Sequence, residues 1–410
     1  MEIFRSYKTE LDLNNAQIER CRQHAGCARK AYNWGLGRKI ESYKATGKSP
    51  SFIDLSRELN LLKKKPVEEG GFPWMYESSK CAPQIALRNL DKAYENFFRR
   101  CKNGAKNKGF PKPKVRKHGI GNFCLTGLIR VSNTHIRLPV LGELRLKECG
   151  YLPVAGTHIL SATVSEKVGR WFVSLQVRQE VSIPEPPQSN VIGVDVGIKH
   201  LAVTSDGQVF DNPKALTKAQ GLLRTRQKAM DRKVKGSANR RKAQEKVAKT
   251  HYRIANIRKD AIHKMTSTIT KSASVIVVET LNVAGMIKNH HLARALADAS
   301  LSEIHRQLEY KAKWRGTTLL KADRFYPSSK RCSRCGHKKE TLALSERVYR
   351  CEIPSCGHVM DRDLNAAINL KNLAGSSPVS ACCPGSAGHA RKSKTKLLVG
   401  QEPEAVGVGL

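Results

Sequence analysis

Hydrophobic positions change their spacing several times along the chain, and each change marks a different kind of element. The opening EIFRSYKTELD alternates apolar and polar residues like a half-buried strand. DLNNAQIERCRQHAGCARKAYNWGLGRKIESYK then carries apolar residues at helical spacing behind the cap-like DLNN. A second helical block, APQIALRNLDKAYENFFRRCKN, sets Ile85, Leu87, Leu90, Tyr94, Phe97 and Phe98 near one face, with Arg88, Lys92, Arg99 and Arg100 interspersed. KNGAKNKGFPKPKVRKHG is dense in Lys, Gly and Pro; it cannot bury itself and suits a loop lying along a polyanion. From about Asn122 to Val181, short alternating segments between turns predict a small β-barrel or sandwich, and the stiff SIPEPPQSN marks a domain boundary.

After that boundary, NVIGVDVGIKHLAVTSDGQVF predicts three strands joined by turns. SASVIVVETLN is a buried parallel-type strand ending in Glu279, ALADASLSEIHRQLEYKAKWRG an amphipathic helix, TTLLKADRF another strand and DLNAAINLKNLAG a closing helix. This order is that of a ribonuclease H-like α/β fold. Between its strands lies a long basic helical stretch, Lys214 to Asp260, with sixteen Lys and Arg against Asp231, Glu245 and Asp260. Such an imbalance repels itself unless a polyanion binds, so Arg232, Lys233 and Lys235, like Lys112 and Lys114 of the earlier loop, are candidate nucleic-acid contacts.

Composition strengthens that expectation. The 410 residues contain 73 Lys and Arg against 35 Asp and Glu, a formal charge of +38, while 40% hydrophobic content is that of a folded protein. No uncharged apolar run approaches the ~18 residues of a membrane span, and MEIFRSYKTELDLNN has no signal-peptide core. Of twelve cysteines, Cys21, Cys27, Cys81, Cys101, Cys124 and Cys149 are scattered singly, which fits a reducing cytoplasm. Cys382 and Cys383 fall in a Gly/Ser/Pro/Lys tail and read as incidental thiols.

Three acids stand out on this basic chain: Asp195 in VIGVDVGIKH, Glu279, and one Asp of DRDLNAA. Phosphodiester hydrolysis needs an activated water and a stabilised leaving oxygen, which two carboxylate-held Mg²⁺ ions supply. Asp195 points away from Val194 and Val196, and Gly193 and Gly197 leave room for backbone or ligand. Either Asp361 or Asp363 could be the third ligand, the other capping the helix or pairing with Arg362; spacing leaves this open. Taken singly, each acid also fits a strand end or cap. An actin-like ATPase can open on a similar strand-turn, but its partner phosphate loops are missing. Cys332-x2-Cys335 and Cys351-x4-Cys356, fifteen residues apart, have the spacing of a closed structural Zn²⁺ site. His337 and His358 lie near enough to substitute as ligands, although facing solvent suits both better.

At these residues the chain resembles the TnpB family, the transposon-encoded OrfB proteins related to type V CRISPR effectors. The resemblance rests on GVDVGIKHLAV, RKDAIHKMT, VVETLNVAGMIKN, QLEYKAKWRG, YPSSKRCSRCG and DRDLNAAINL, with ARKAYNWGL and ALRNLDKAYENFFRR in the first half. It implies a multidomain α/β architecture. A wedge β-barrel (1–12 and 119–183) would be interrupted by a helical recognition domain (13–118). After a linker (184–190), a RuvC-like nuclease domain (191–325 and 359–374) would contain an inserted zinc ribbon (326–358), and a disordered tail (375–410) would follow.

The implied activity is RNA-guided cleavage of double-stranded DNA beside a short transposon-adjacent motif. Asp195, Glu279 and, by motif match, Asp363 would be the Mg²⁺-binding carboxylates, and Cys332, Cys335, Cys351 and Cys356 would hold Zn²⁺. Lys80 and Gln84 match what looks like a motif-reading helix, with Arg88 further along it. The implied partners are a guide RNA and target DNA, in a monomeric ribonucleoprotein of the prokaryotic, nucleoid-associated cytoplasm. Base pairing would read sequence while the protein holds the backbone. The second cysteine pair departs from the family's commoner C-x2-C. A guided DNA-binding repressor and a DDE-type transposase are the competing functions; the presence of all three acids weighs against the first, and the ribbon before the last acid against the second.

Overall fold

The computed structural model describes residues 2–116, 119–153, 157–182, 185, 190–343 and 345–375, with the backbone of 379–381. Contacts divide the chain into two compact units, Met1–Glu185 with Pro213–Asp260, and Pro186–Asn212 with Ala261–Leu410.

The first unit is built on a seven-stranded antiparallel sheet from β1 (Glu2–Asp12), β2 (Asn122–Leu125), β3 (Arg130–Val131), β4 (His135–Leu138), β5 (Gly142–Leu146), β6 (Thr157–Lys167) and β7 (Arg170–Glu180). The order is β2-β6-β7-β1-β5-β4-β3, so the first strand lies in the middle, paired along its length with β7 and at its end with β5. Three helices are therefore inserted within the sheet's sequence: α1 (Asn15–Thr46), α2 (Phe52–Lys64) and α3 (Cys81–Lys102). A reciprocal capping box, Asn14 with Gln17, starts α1. Leu36, Leu55, Leu59, Leu87 and Leu90 of the helices share one core with Leu125, Ile136, Leu144 and Leu175 of the sheet.

Contacts also group α4 (Ala215–Asp231) and α5 (Ala238–Ser272) up to Asp260 with this unit, whereas sequence analysis drew 191–325 as part of one domain. The physical cause is visible at Tyr252, whose ring lies 6.4 Å from Phe172 with Lys167 and Arg170 over it at 5.4 and 5.6 Å.

The second unit carries a six-stranded sheet of order β10-β9-β8-β11-β12-β15. Its strands are β8 (Val191–Val196), β9 (His200–Thr204), β10 (Val209–Asp211), β11 (Val275–Val278), β12 (Thr318–Ala322) and β15 (Val379–Ala381). β8, β11 and β12 run parallel; the others pair antiparallel. The short helices α6 (Val283–Met286) and α7 (His290–Ala299) lead into α8 (Leu301–Trp314), and β13 (Val348–Arg350) and β14 (Val359–Asp361) form a separate ribbon before α9 (Arg362–Asn372).

One face of the sheet buries Ile192, Val194, Ile276 and Val278 against Ile262, Met265, Ile304 and Leu308, and the other packs Val277 and Ala322 on Leu370 and Leu373. The expectation of a disordered tail from 375 needs correcting at 379–381. There the chain adds an edge strand, pairing with 320–322 of β12 and covering its open hydrogen-bonding groups. The remaining tail, with Cys382 and Cys383, and most of the 184–190 boundary lie outside the described residues. Among the described residues no helix is long and apolar enough to cross a membrane.

Candidate metal centres and nucleic-acid surface

The two strand acids are brought side by side by sheet register. β11 pairs with β8 in parallel from Val275↔Val191 to Val278↔Val194, and continuing by one residue sets Glu279 beside Asp195. Both chains emerge here at the carboxyl ends of their strands, where open α/β sheets place ligands.

The third acid comes from α9. Asp361 is its N-cap: Oδ1 accepts from the backbone N–H groups of Asp363 (2.9 Å) and Leu364 (3.1 Å). That role occupies Asp361 and leaves the Asp363 carboxylate beside the Arg362 guanidinium at 3.3 Å. Gly193 explains why α9 reaches Asp195 at all. A Cβ at this position would lie 1.9 Å from the Ala367 carbonyl oxygen and 2.5 Å from the Lys371 nitrogen, so the helix rests directly on the strand backbone. From that contact, two residues along the strand span about 6.6 Å to Asp195, and four residues back along the helix about 6 Å to Asp363. The matching steps bring the two acids to the same end.

Burial is the largest force on Asp195, pushing its carboxyl well above the usual range; Glu279 and then Asp363 push the same way, and Arg362 opposes them. Burial also raises Glu279, and the hydrogen bond donated by the Ser328 hydroxyl to its Oε1 pulls it back. Like-charged acids buried together raise one another in this way, and a cation held among them would compensate them. The three do not crowd around one point: among the described residues, only the four cysteines form a group of three or more potential ligands whose donor atoms all lie within 4.8 Å of one another. A wider spread suits a two-ion site, whose ions sit about 4 Å apart and whose outer ligands lie further apart still.

Ser328 was not singled out in the sequence, nor were Asn365 and Asn369, which hold its loop. Asn369 Nδ2 donates to the carbonyls of Ser328 (2.8 Å) and Arg331 (2.6 Å). Asn365 Nδ2 donates to Arg331 O (2.7 Å), while its Oδ1 accepts from the Ser333 N–H (3.0 Å). Both amides are buried. The available signal was their i, i+4 placement in a helix interior, where Asn is a poor helix former.

The loop they clamp leads into the four thiols. Cys332 and Cys356 sulfurs lie 3.8 Å apart, Cys335 and Cys351 3.6 Å. These separations far exceed a disulfide bond of about 2.0 Å and match the edge of about 3.8 Å of a tetrahedron with Zn–S bonds near 2.3 Å. Two turns shape the cluster: Gly336 N–H donates to Cys332 O (3.0 Å), and Cys356 N–H to Ile353 O (3.0 Å). Neither histidine enters. His337 contacts Glu352 at 3.2 Å and His358 contacts Ser333 Oγ at 3.1 Å. The donor set is thus four sulfurs that fit Zn²⁺, and C-x4-C closes as well as C-x2-C.

Lys80, Gln84 and Arg88 fall on one stripe at the start of α3, Lys80 and Arg88 exposed and Gln84 half-buried. Arg88 lies over Phe52 at 5.3 Å and lines, with Arg29, Lys92, Lys114, Thr163 and Gln176, a cavity of about 840 Å³. Lys114 is engaged more tightly than expected. Asn33 brackets its backbone with bonds of 2.8 and 2.9 Å, its ammonium sits 4.2 Å from the Tyr32 ring, and burial lowers its pKa. Lys112 is exposed, as are Arg232, Lys233 and Lys235 at the α4–α5 turn.

The OrfB_IS605 family profile, described as "Probable transposase", matches residues 174–290. A Cas12f1-like TNB domain profile matches 302–370, and a helix-turn-helix domain profile matches 1–48, a span that here holds one strand and one uninterrupted helix. A Streptomyces pristinaespiralis protein named "Putative RNA-guided DNA endonuclease" is 34% identical over 413 residues, covering 100% of this chain and 98% of its own. Escherichia coli (strain K12) "Putative RNA-guided DNA endonuclease InsQ" is 32% identical over 93% of this chain and 94% of its own. A chain from a cryo-EM Cas12f1–sgRNA–target DNA complex aligns with 90% of this chain and 99% of its own at 17% identity and a TM-score of 0.35, too distant to weigh. A mixed α/β protein with a four-cysteine cluster beside a strand-borne carboxylate cluster is the class defined here. The chain belongs to the TnpB (OrfB) family.

Proposed function

We propose that the protein is an RNA-guided DNA endonuclease that cuts double-stranded DNA beside a short adjacent motif, with Asp195, Glu279 and Asp363 as its Mg²⁺ ligands. The observation that carries this reading is the convergence of those three carboxylates at one end of the β8–β11 pair, under a burial that raises Asp195 and Glu279. Full-length likeness to proteins named as RNA-guided DNA endonucleases supports the activity. The strand order supports a RuvC-like, ribonuclease H-like domain, and the sheet interrupted by α1–α3 suits a wedge domain with an inserted recognition domain.

When bound, Mg²⁺ would lower the pKa of the attacking water and neutralise the departing oxygen. The chain's own residues do the rest. The Gly193 contact keeps α9 against β8, and with it Asp363 near Asp195. Ser328 fixes one oxygen of Glu279, leaving the other for the role of metal ligand. Lys80, Gln84, Arg88, Lys112, Lys114, Arg232, Lys233 and Lys235 would grip phosphates or read the adjacent duplex, in a monomeric ribonucleoprotein acting in a prokaryotic cytoplasm.

The test is a plasmid bearing the guide-matched target, incubated with the purified ribonucleoprotein and Mg²⁺. Linear product from the wild type and none from Glu279→Gln, with target binding retained, is expected. Binding without cleavage by the wild type would make it a guided repressor, and strand joining would make it a transposase.

A further inference from the structure

The end of α3 carries an aromatic cluster that the carboxylate and thiol centres do not use. Phe97 meets Phe98 and Phe110 at 5.2 Å each, and Tyr94 meets Phe110 at 5.7 Å and Phe98 at 6.2 Å. Tyr94 and Phe97 are half-buried, but Phe98 is 61% and Phe110 46% exposed. A glycine turn sets Phe110 there: Gly109 bends the chain at φ +64°, where a Cβ would lie 2.4 Å from Arg100 Nη1, folding the loop back onto the helix. A cluster made only to pin the loop would bury its rings. This one leaves two of them open.

The surroundings say what covers them. Residues 96–116 hold many Lys and Arg and no acid, and Arg99, Lys102, Lys106, Lys108 and Lys112 are all exposed. A strongly cationic surface around exposed ring faces, with Glu95 the one acid on α3 beyond Asp91, disfavours a second copy of this +38 chain. It matches a ligand with anionic links between flat apolar units, which describes single-stranded nucleic acid. A duplex fits less well, because its bases already stack on one another.

We propose that Phe98 and Phe110 form a stacking platform for unpaired nucleotides of the bound RNA, with Arg99, Lys102, Lys106 and Lys108 holding the flanking phosphates. The choice of RNA rests on the ribonucleoprotein reading above. A guide RNA is resident throughout, and open aromatic faces call for a resident cover, whereas single-stranded DNA exists only after a target opens.

The full-length protein, freed of copurifying RNA, is titrated with a labelled oligouridine and with a duplex RNA of equal length across a salt series. Phe98→Leu and Phe110→Leu should each weaken oligouridine binding about tenfold while leaving duplex affinity and the salt slope unchanged. Phe98→Tyr, which keeps a ring, should retain wild-type affinity, and melting curves of each variant identify any loss due to unfolding. Equal losses for both RNAs, no loss for either, or failure of the Tyr variant to hold affinity would overturn the platform. A stronger effect on oligothymidine than on oligouridine would assign it to DNA instead, also against the proposal. None of these outcomes bears on cleavage, which Glu279→Gln tests separately.

Discussion

The carboxylate centre and the thiol centre share one unit and one clamped loop, yet they solve the problem of grouping like donors in opposite ways. The thiols come from 25 consecutive residues and sit at separations matching a tetrahedral ion, so local turns alone bring them together. The carboxylates come from β8, β11 and α9, converge through sheet register and one glycine contact, and remain electrostatically opposed. A structural ion needs a closed cage that encodes its geometry. A catalytic site needs ligands held in tension and left incomplete, so that substrate and water can finish the coordination.

The largest test removes one charge and changes nothing else. Asp195→Asn should lower cleavage at least about a thousandfold, because a neutral amide cannot hold a divalent ion against substrate. In the metal-free protein the same change should raise the melting temperature by a few degrees, since it removes an acid whose ionisation burial and Glu279 oppose. Plasmid cleavage and calorimetry in chelator check the pair. A variant that loses activity and also melts lower would mean that the acids are structural.

Much of this contrast was legible in the sequence, and what was not is physically distinct. Cysteine spacing specifies a local cage, so the four-thiol cluster could be read directly; the strand and helix periods likewise gave most elements. Alternation could not show that the first strand would lie mid-sheet, because pairing partners over 130 residues away decide that. The Asp361 and Asp363 ambiguity was real at the level of spacing; in the structure Asp361 bonds the helix N-terminus and Asp363 pairs with Arg362. Gly193 was noted as room for an approach, but that α9 fills it depends on tertiary packing. Ser328, Asn365 and Asn369 stayed hidden because polar residues in a loop and a helix declare a role only once their buried partners are known.

The second test attacks the cage. Cys351→Ser should lose the bound Zn²⁺ and several kcal/mol of local stability, roughly what a structural site contributes to so short a segment. Zinc content and protease resistance of 326–358 report it. Because Asn365 and Asn369 tie the loop to α9, cleavage should fall too, through the seat of Ser328 beside Glu279. If cleavage stays at wild-type level without zinc, the two centres are independent.

Gly193→Ala then disturbs the carboxylate centre while keeping all of its ligands. The added methyl cannot fit 1.9 Å from the Ala367 carbonyl, so α9 must move, at a cost of about 3 kcal/mol. Expected are a lower melting temperature and a cleavage loss of about a hundredfold from misplacement of Asp363, with zinc content unchanged. Equal loss of zinc would show that the helix position governs both centres.

The smallest test poses the same burial problem with opposite sign. Lys311 on α8 is 6% exposed and has no carboxylate partner among the described residues; its Nζ donates instead to His263 O (2.8 Å), Thr266 Oγ1 (2.7 Å) and Ser267 Oγ (2.9 Å). Burial, and then Arg315, lower its pKa from 10.5 to about 8. At Lys311 the folded protein therefore holds less proton than the unfolded chain between those values, so this group's contribution to stability rises as pH climbs from about 8 toward 10.5, by up to about 3 kcal/mol. Lys311→Met should abolish that slope, measured as the melting-temperature difference between the two proteins across the window. Hydrogen bonds then suffice to hold a buried cation, whereas the gathered carboxylates oppose one another. A difference between the two proteins that stays constant across the window would place the titration in other groups.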